Sequence, residues 1–189
     1  MGLGSSSTLI NNVAQWAQVD AFKLQFNTFG GSAYDIACAQ YDTPITYQLQ
    51  GQNPLTTKIP QFDPNFKDHL YFVHLNKKQN SRDGIAHYRK FKGNIAALSD
   101  QLTALTTEFI ACSELEYFEK LLEEHEKLIA PIIQQEPVQS SLFSDYFGQT
   151  KSLGAWGGDF ILATGNKNTP RYFKNKGFST VIKYQDMIL

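Results

Sequence analysis

Gly2-Leu3-Gly4-Ser5-Ser6-Ser7-Thr8 opens the chain with two glycines and three serines ahead of an apolar run. That combination suits anion binding. Glycine lets backbone N–H groups come close to a phosphate, and serine hydroxyls add donors and a hard oxygen for Mg²⁺. Leu9, Ile10, Val13 and Trp16 recur at helical spacing, so the loop feeds a helix over 5–18. Free amides and the dipole at that helix start both favour a negative charge. The run is not a Walker A loop, because no Lys follows its second glycine. Taken alone it also reads as a flexible linker, or as a helix start capped by Ser5 or Ser6.

Two further turns carry chemical groups. Gly30-Gly31-Ser32-Ala33-Tyr34-Asp35-Ile36-Ala37 sets a carboxylate just after a Gly/Ser turn, where a short apolar helix begins. Asp35 there is either a general base for a hydroxyl or an N-cap, and it could be both. Lys151-Ser152-Leu153-Gly154-Ala155-Trp156-Gly157-Gly158-Asp159 is a Gly-rich turn before an apolar strand. Trp156 in it could stack on a ligand or cap the core, an exposed ring favouring the first, while an inward Asp159 would repel phosphate. Lys77, Lys78 and Ser81 could meet an anionic group, or form a solvated turn. His69, His74, His87 and His125 show no metal-ligand spacing.

In this order the three segments resemble the GHMP kinases, the group of galactokinase, homoserine kinase, mevalonate kinase and phosphomevalonate kinase. The resemblance is strongest to a mevalonate-kinase-like subgroup with a Gly-Tyr-Asp-Ile-Ala motif, here Ala33-Tyr34-Asp35-Ile36-Ala37. It runs over nearly the whole chain. It implies an ATP-dependent small-molecule kinase that moves the γ-phosphate to an alcohol or phosphate acceptor, with mevalonate, phosphomevalonate or another small alcohol open. It implies that Gly2, Leu3, Gly4, Ser5, Ser6 and Ser7 hold ATP phosphates, with Ser6 toward Mg²⁺, and that Asp35 lies beside the acceptor hydroxyl. Ser32 and Gly154, Ala155, Trp156, Gly157 and Gly158 would line the substrate pocket. The implied fold is α+β: residues 1–55 as the remnant of an S5-like N-terminal domain, 56–189 as a ferredoxin-like C-terminal domain.

The family also carries an N-terminal segment ahead of the Gly/Ser loop, so the expectation is a truncated enzyme, inactive by itself. The chain departs from the pattern in three places. Ala33 replaces a glycine, Trp156 stands where glycine is common, and Leu24 and Gln25 occupy the place of a Mg²⁺-sharing acid. These departures keep a second reading open, a non-catalytic fragment or binding module of the same fold. Surface left bare by a missing segment makes a homodimer a further expectation.

Composition narrows the partners. The 189 residues are 42% hydrophobic with a formal net charge of −1, enough for a core and without the basic excess of a nucleic-acid or anionic-membrane binder. No apolar run reaches the ~18 residues of a membrane span, and no charged n-region with an apolar h-region opens the chain. Cys38 and Cys112 sit in apolar helical contexts, which reads as buried free thiols and a cytoplasmic setting.

The elements that must position these groups follow from periodicity and punctuation. Helices are expected over 20–26 with Asp20 as cap, over 34–40, 82–92, 95–112 and 114–131, and strands over 43–49, 69–75 and 160–164. Residues 50–64, with Pro54, Pro60 and Pro64, read as strand fragments and turns. In the 114–131 helix, Leu115, Phe118, Leu121, Leu122, His125, Leu128 and Ile129 make an apolar stripe. Glu119, Lys120, Glu123, Glu124 and Lys127 lie off it as a solvated face. A short helix stopped by Gly177 and a closing strand fill 169–182. The order strand, helices, strand, helix, strand suits helices on one face of a largely antiparallel sheet.

Overall fold

The computed structural model describes residues 4–77, 81–154, 156 and 158–188. The chain divides into two units, Gly2–Asp63 and Pro64–Leu189.

The first unit is three helices and a hairpin: α1 (Ser5–Ala17), α2 (Ala21–Thr28), α3 (Tyr34–Gln40), β1 (Ile45–Gln50) and β2 (Asn53–Lys58). Asp20 caps α2 by accepting from the Lys23 N–H at 2.9 Å. Ile10, Ala14, Ala21, Ala33 and Ile36 bury together where the helices meet. Gly51 at φ 64° turns β1 antiparallel onto β2, in register from Ile45↔Lys58 to Gln50↔Asn53. Pro54 fits because β2 pairs on one side only. Leu9, Val13 and Trp16 leave one face of α1 exposed.

The second unit runs β3 (Leu70–His74), α4 (Ser81–Lys90), α5 (Ile95–Ala111), α6 (Leu115–Ile133), α7 (Val138–Leu142), β4 (Thr150–Ser152), β5 (Phe160–Thr164), α8 (Thr169–Asn175), β6 (Val181–Lys183) and α9 (Tyr184–Met187). The strands lie in the order β4-β5-β3-β6, every neighbour antiparallel. This is a mixed α+β fold. Apolar side chains cover both faces of the sheet, not one. Val73, Ile161 and Ala163 join Val138, Phe143, Tyr146 and Phe173, while Leu70 and Leu162 pack with Phe66, Leu105, Phe118, Leu121 and Leu122. The cause is in β3, where Leu70, Tyr71, Phe72 and Val73 are apolar on successive residues and therefore on both faces. The short elements α7, β4 and α9 carry too few periodic residues to announce themselves in sequence. α6 continues to Ile133 through Pro131, which sits in its last turn.

Glu119 departs from the expected solvated face: it is half-buried and accepts from the Thr164 hydroxyl. Cys38 is exposed and Cys112 buried, so only one of the two thiols is enclosed.

A polar knot closes the end of β5. The Tyr146 hydroxyl donates to the Thr164 carbonyl at 2.7 Å and lies 2.9 Å from the Thr169 hydroxyl. Gly165 makes room for it, since a Cβ there would stand 2.1 Å from Thr169 Oγ1 and 2.6 Å from the Tyr146 hydroxyl. Gly165→Ala is expected to destabilise the chain by ~1–3 kcal/mol through overpacking. An unchanged urea midpoint would show that the knot yields without cost.

Candidate functional site

The first turn of α1 begins on Gly4, whose φ of 71° and ψ of 11° are left-handed. Gly2 and Leu3 lie outside the described residues. No side chain caps this helix, so neither Ser5 nor Ser6 is the N-cap that the sequence allows. The buried Ser7 hydroxyl donates to the Gly4 carbonyl at 2.8 Å and is thereby used within the turn. Ser5 and Ser6 are exposed, and first-turn amides have no acceptor inside a helix. The start of α1 therefore presents N–H donors and two free-facing hydroxyl groups.

The second turn repeats the device with an alanine. Ala33, not Asp35, is the N-cap of α3, at φ 59° and ψ 15° and buried. A left-handed L-residue costs about 1–2 kcal/mol, the strain expected where alanine stands for glycine. Asp35 lies in the first helical turn, exposed to solvent. Partial desolvation pushes its carboxyl above the ordinary range, and a hydrogen bond from Tyr34 pulls it back. Burial and the Asp35 charge push the Tyr34 hydroxyl up in turn. The Ser32 carbonyl accepts from the Tyr47 hydroxyl at 2.6 Å, which ties the turn to β1. Gln25 Nε2 donates to the Gly30 carbonyl at 2.6 Å, so its amide braces this turn, and Leu24 packs against the apolar cluster.

In the third turn, Ala155 and Gly157 lie outside the described residues, as do Lys78 and the side chain of Ser81. Gly154, Trp156 and Asp159 are left-handed at φ 59°, 56° and 51°. Trp156 is buried at 8% exposure, not presented to solvent, because the strained backbone turns its ring inward onto the side chain of Lys151. The Leu75 N–H donates to the Asp159 carbonyl at 2.7 Å, and the Asp159 N–H to the Lys77 carbonyl. Gly158 is buried and Gly154 exposed.

Beneath this turn lies a buried ionic group that sequence reasoning passed over. Glu126 on α6 is 1% exposed. Its Oε1 accepts from the Ser152 N–H at 3.2 Å and stands 3.9 Å from Lys151 Nζ, and its Oε2 accepts from the Ser152 hydroxyl at 3.4 Å. Burial pushes the Glu126 carboxyl up to about 7, against the pull of Lys151 and Ser152. Burial also pushes Lys151 down, with Glu126 opposing. His125, half-buried beside it, is held down to about 4 by burial and then by the Lys151 charge. The available signal was spacing: Phe118, Leu122 and Glu126 repeat every fourth residue along the buried face.

Each candidate turn is set out within its own unit: α1 and α3 pack together in the first, and the Gly-rich turn belongs to the second. The groove of about 370 Å³ in the first unit is lined by Asn11, Gln15, Asp20 and Gln40 and touches neither Ser5–Ser7 nor Asp35. Among the described residues no group of three His, Cys, Asp or Glu side chains could hold a metal ion, and no helix is long and apolar enough to cross a membrane.

No protein-family model matches the chain, and no curated protein matches it. The solved structure of a Lin0012 protein from Listeria innocua is similar to it, with a TM-score of 0.64 and 15% identity over 90% of this chain. The chain spans 60% of the length of that structure. At this identity the likeness concerns the fold alone.

The ionic group sets a pH dependence. Between the ordinary carboxyl value of 4.5 and about 7, the folded protein keeps a Glu126 proton that the unfolded chain has lost. That contribution to stability falls as pH rises. Between about 4 and 6.5 the unfolded His125 holds a proton that the folded one lacks, so its contribution rises with pH. The two oppose each other between 4.5 and 6.5. Glu126→Gln removes the falling half, so stability of the variant should climb with pH across that window more steeply than wild type, by at most ~1.4 kcal/mol per pH unit. Equal slopes in urea titrations at several pH values would contradict the assignment.

Proposed function

We propose that the chain is the nucleotide-phosphate-binding and acceptor-facing part of an ATP-dependent small-molecule kinase of the GHMP type, mevalonate-kinase-like. The observation that carries this reading is the start of α1. A left-handed Gly4 and the absence of a side-chain cap leave first-turn amides and the exposed Ser5 and Ser6 hydroxyls for a phosphate. Two observations support it. Ala33 holds Asp35 in the same helix-start geometry, and the second unit, with four helices between β3 and β4 and one between β5 and β6, has its strands in the order β4-β5-β3-β6 expected of the ferredoxin-like domain that the resemblance implies.

In this reading the α1 turn would hold the ATP phosphates, and Ser6 would offer one oxygen to Mg²⁺. One protein oxygen fits a magnesium ion that otherwise keeps waters and phosphate oxygens. ATP-Mg²⁺ supplies the phosphoryl group and the positive charge that neutralises it. Asp35 would accept the proton of the acceptor hydroxyl, or orient that hydroxyl, and its upward-shifted carboxyl is suited to taking a proton. The Ser32 turn and Gly154–Gly158 would shape the acceptor pocket. The acceptor is a small alcohol or its phosphorylated form.

A second reading, a non-catalytic module of the same fold, is favoured by one contact. Gln25, in the place of the second acid, spends its side chain on the Gly30 carbonyl.

Two substitutions separate the readings. Ser6→Ala should weaken ATP binding in the presence of Mg²⁺ more than metal-free pyrophosphate binding, because it removes a metal-facing oxygen while the backbone donors remain. Calorimetry with and without Mg²⁺ measures both, and equal loss in the two arms would remove Ser6 from the metal. In a protein that carries these residues behind the N-terminal segment the resemblance implies, Asp35→Asn should lower kcat by ~10²–10⁴-fold at nearly constant nucleotide affinity. An unchanged kcat would leave Asp35 with no chemical role.

A further inference from the structure

Strand β4 is an edge, paired only with β5. The Leu153 N–H reaches the Phe160 carbonyl of β5, whereas the preceding Ser152 N–H goes to Glu126 instead. Such edge donors ordinarily pair with water or with a further strand. Here one carboxylate takes that place and also collects the Ser152 hydroxyl and the Lys151 ammonium. Lys151 Nζ in turn donates to the Ser152 carbonyl at 3.2 Å and lies 5.8 Å from the centre of the Trp156 ring. The Gly-rich turn thus departs from a strand end gripped on its backbone, its hydroxyl and its charge.

We propose that Glu126 is the positioning residue of Trp156 in the Gly-rich turn, its charge fixing the place of Lys151 and, through Lys151, the packing of the ring. The arrangement has the features of a switchable contact. The carboxylate is buried on α6, its cation comes from β4, and the aromatic ring beyond is held on left-handed backbone at φ 56°. When Glu126 gains a proton, Lys151 loses the anion that faces it, and its remaining partners are the Ser152 carbonyl and the ring face. Lys151 is the charged group that meets Glu126 from β4. His125, beside it on α6, has a buried Nδ1 with no hydrogen-bond partner among the described residues and stays neutral next to the ammonium. Neither α4 nor α5, the other helices against α6, contributes a charge that moves Glu126.

The meaning of this for a substrate rests on reading the turn as part of the acceptor pocket. The test uses no nucleotide, so it can fail or succeed independently of that reading. The chain has two tryptophans, and Trp16 is 86% exposed. Trp16→Phe leaves emission from Trp156 alone. From about pH 5 to about pH 9 that emission should follow a one-proton transition, centred near the Glu126 value of about 7. Glu126→Gln should abolish the transition. Lys151→Met, which keeps the alkyl stem but removes the ammonium that links Glu126 to the ring, should flatten the transition as well. A purely structural Glu126 would give no transition to lose. The proposal is overturned by a flat Trp156 titration in the parent, by a transition that survives Glu126→Gln, or by one that survives Lys151→Met at full size. Far-ultraviolet circular dichroism checks that each variant is folded, and if Glu126→Gln is not, the Lys151→Met titration decides.

Discussion

Left-handed backbone is the constraint on which the chemistry of this chain depends. Gly4, Ala33, Gly154, Trp156 and Asp159 all sit at φ between 51° and 71°. Each stands at a turn where the chain reverses into an element, and each sets which groups that element presents. At Gly4 the reversal costs nothing, because glycine has no Cβ. At Ala33 and Trp156 it costs strain that the surroundings must over-determine. Both of these side chains are buried, which is how the strain is held. Helix starts shaped in this way leave amides and short polar side chains outward, the arrangement in which a phosphate or a reacting hydroxyl can be met.

The second unit supplies the rigid end of the account. Its sheet is covered on both faces because β3 is apolar on four successive residues, Leu70 to Val73, and backbone bonds at Leu75 and Asp159, just beyond β3 and just before β5, hold the Gly-rich turn. The free edge at β4 is closed by a buried carboxylate and not by another strand. Burying Glu126 is unfavourable unless every oxygen is satisfied, and here Ser152 and Lys151 satisfy them. The same burial that makes the contact costly is what brings the carboxyl into the physiological pH range.

Much of this was legible before any coordinates. The α3 helix follows from a Gly/Ser turn and a short apolar run, and β3 from an unbroken apolar stretch, since both signals are local. Trp156 stood open between stacking on a ligand and capping the core, because a Gly-rich context does not fix the sign of φ that turns the ring inward. Glu126 was hidden among the other glutamates of α6: its spacing from Phe118 and Leu122 is the one local sign, and its partners Lys151 and Ser152 lie far along the chain. Glu119 was misread for the same reason, its partner Thr164 being distant in sequence. Ser7 illustrates a smaller limit: its type announces a donor, but the structure shows the hydroxyl already used on Gly4.

The central claim is that phosphate meets this chain at the first turn of α1. The direct measurement is a map of backbone amide chemical shifts while ATP is added with Mg²⁺. The account predicts movement at Ser5, Ser6 and Ser7, with little change at Asn11, Gln15 and Gln40 around the groove on the other half of α1. Shifts confined to that groove, or none at Ser5–Ser7 at millimolar ATP, would contradict it.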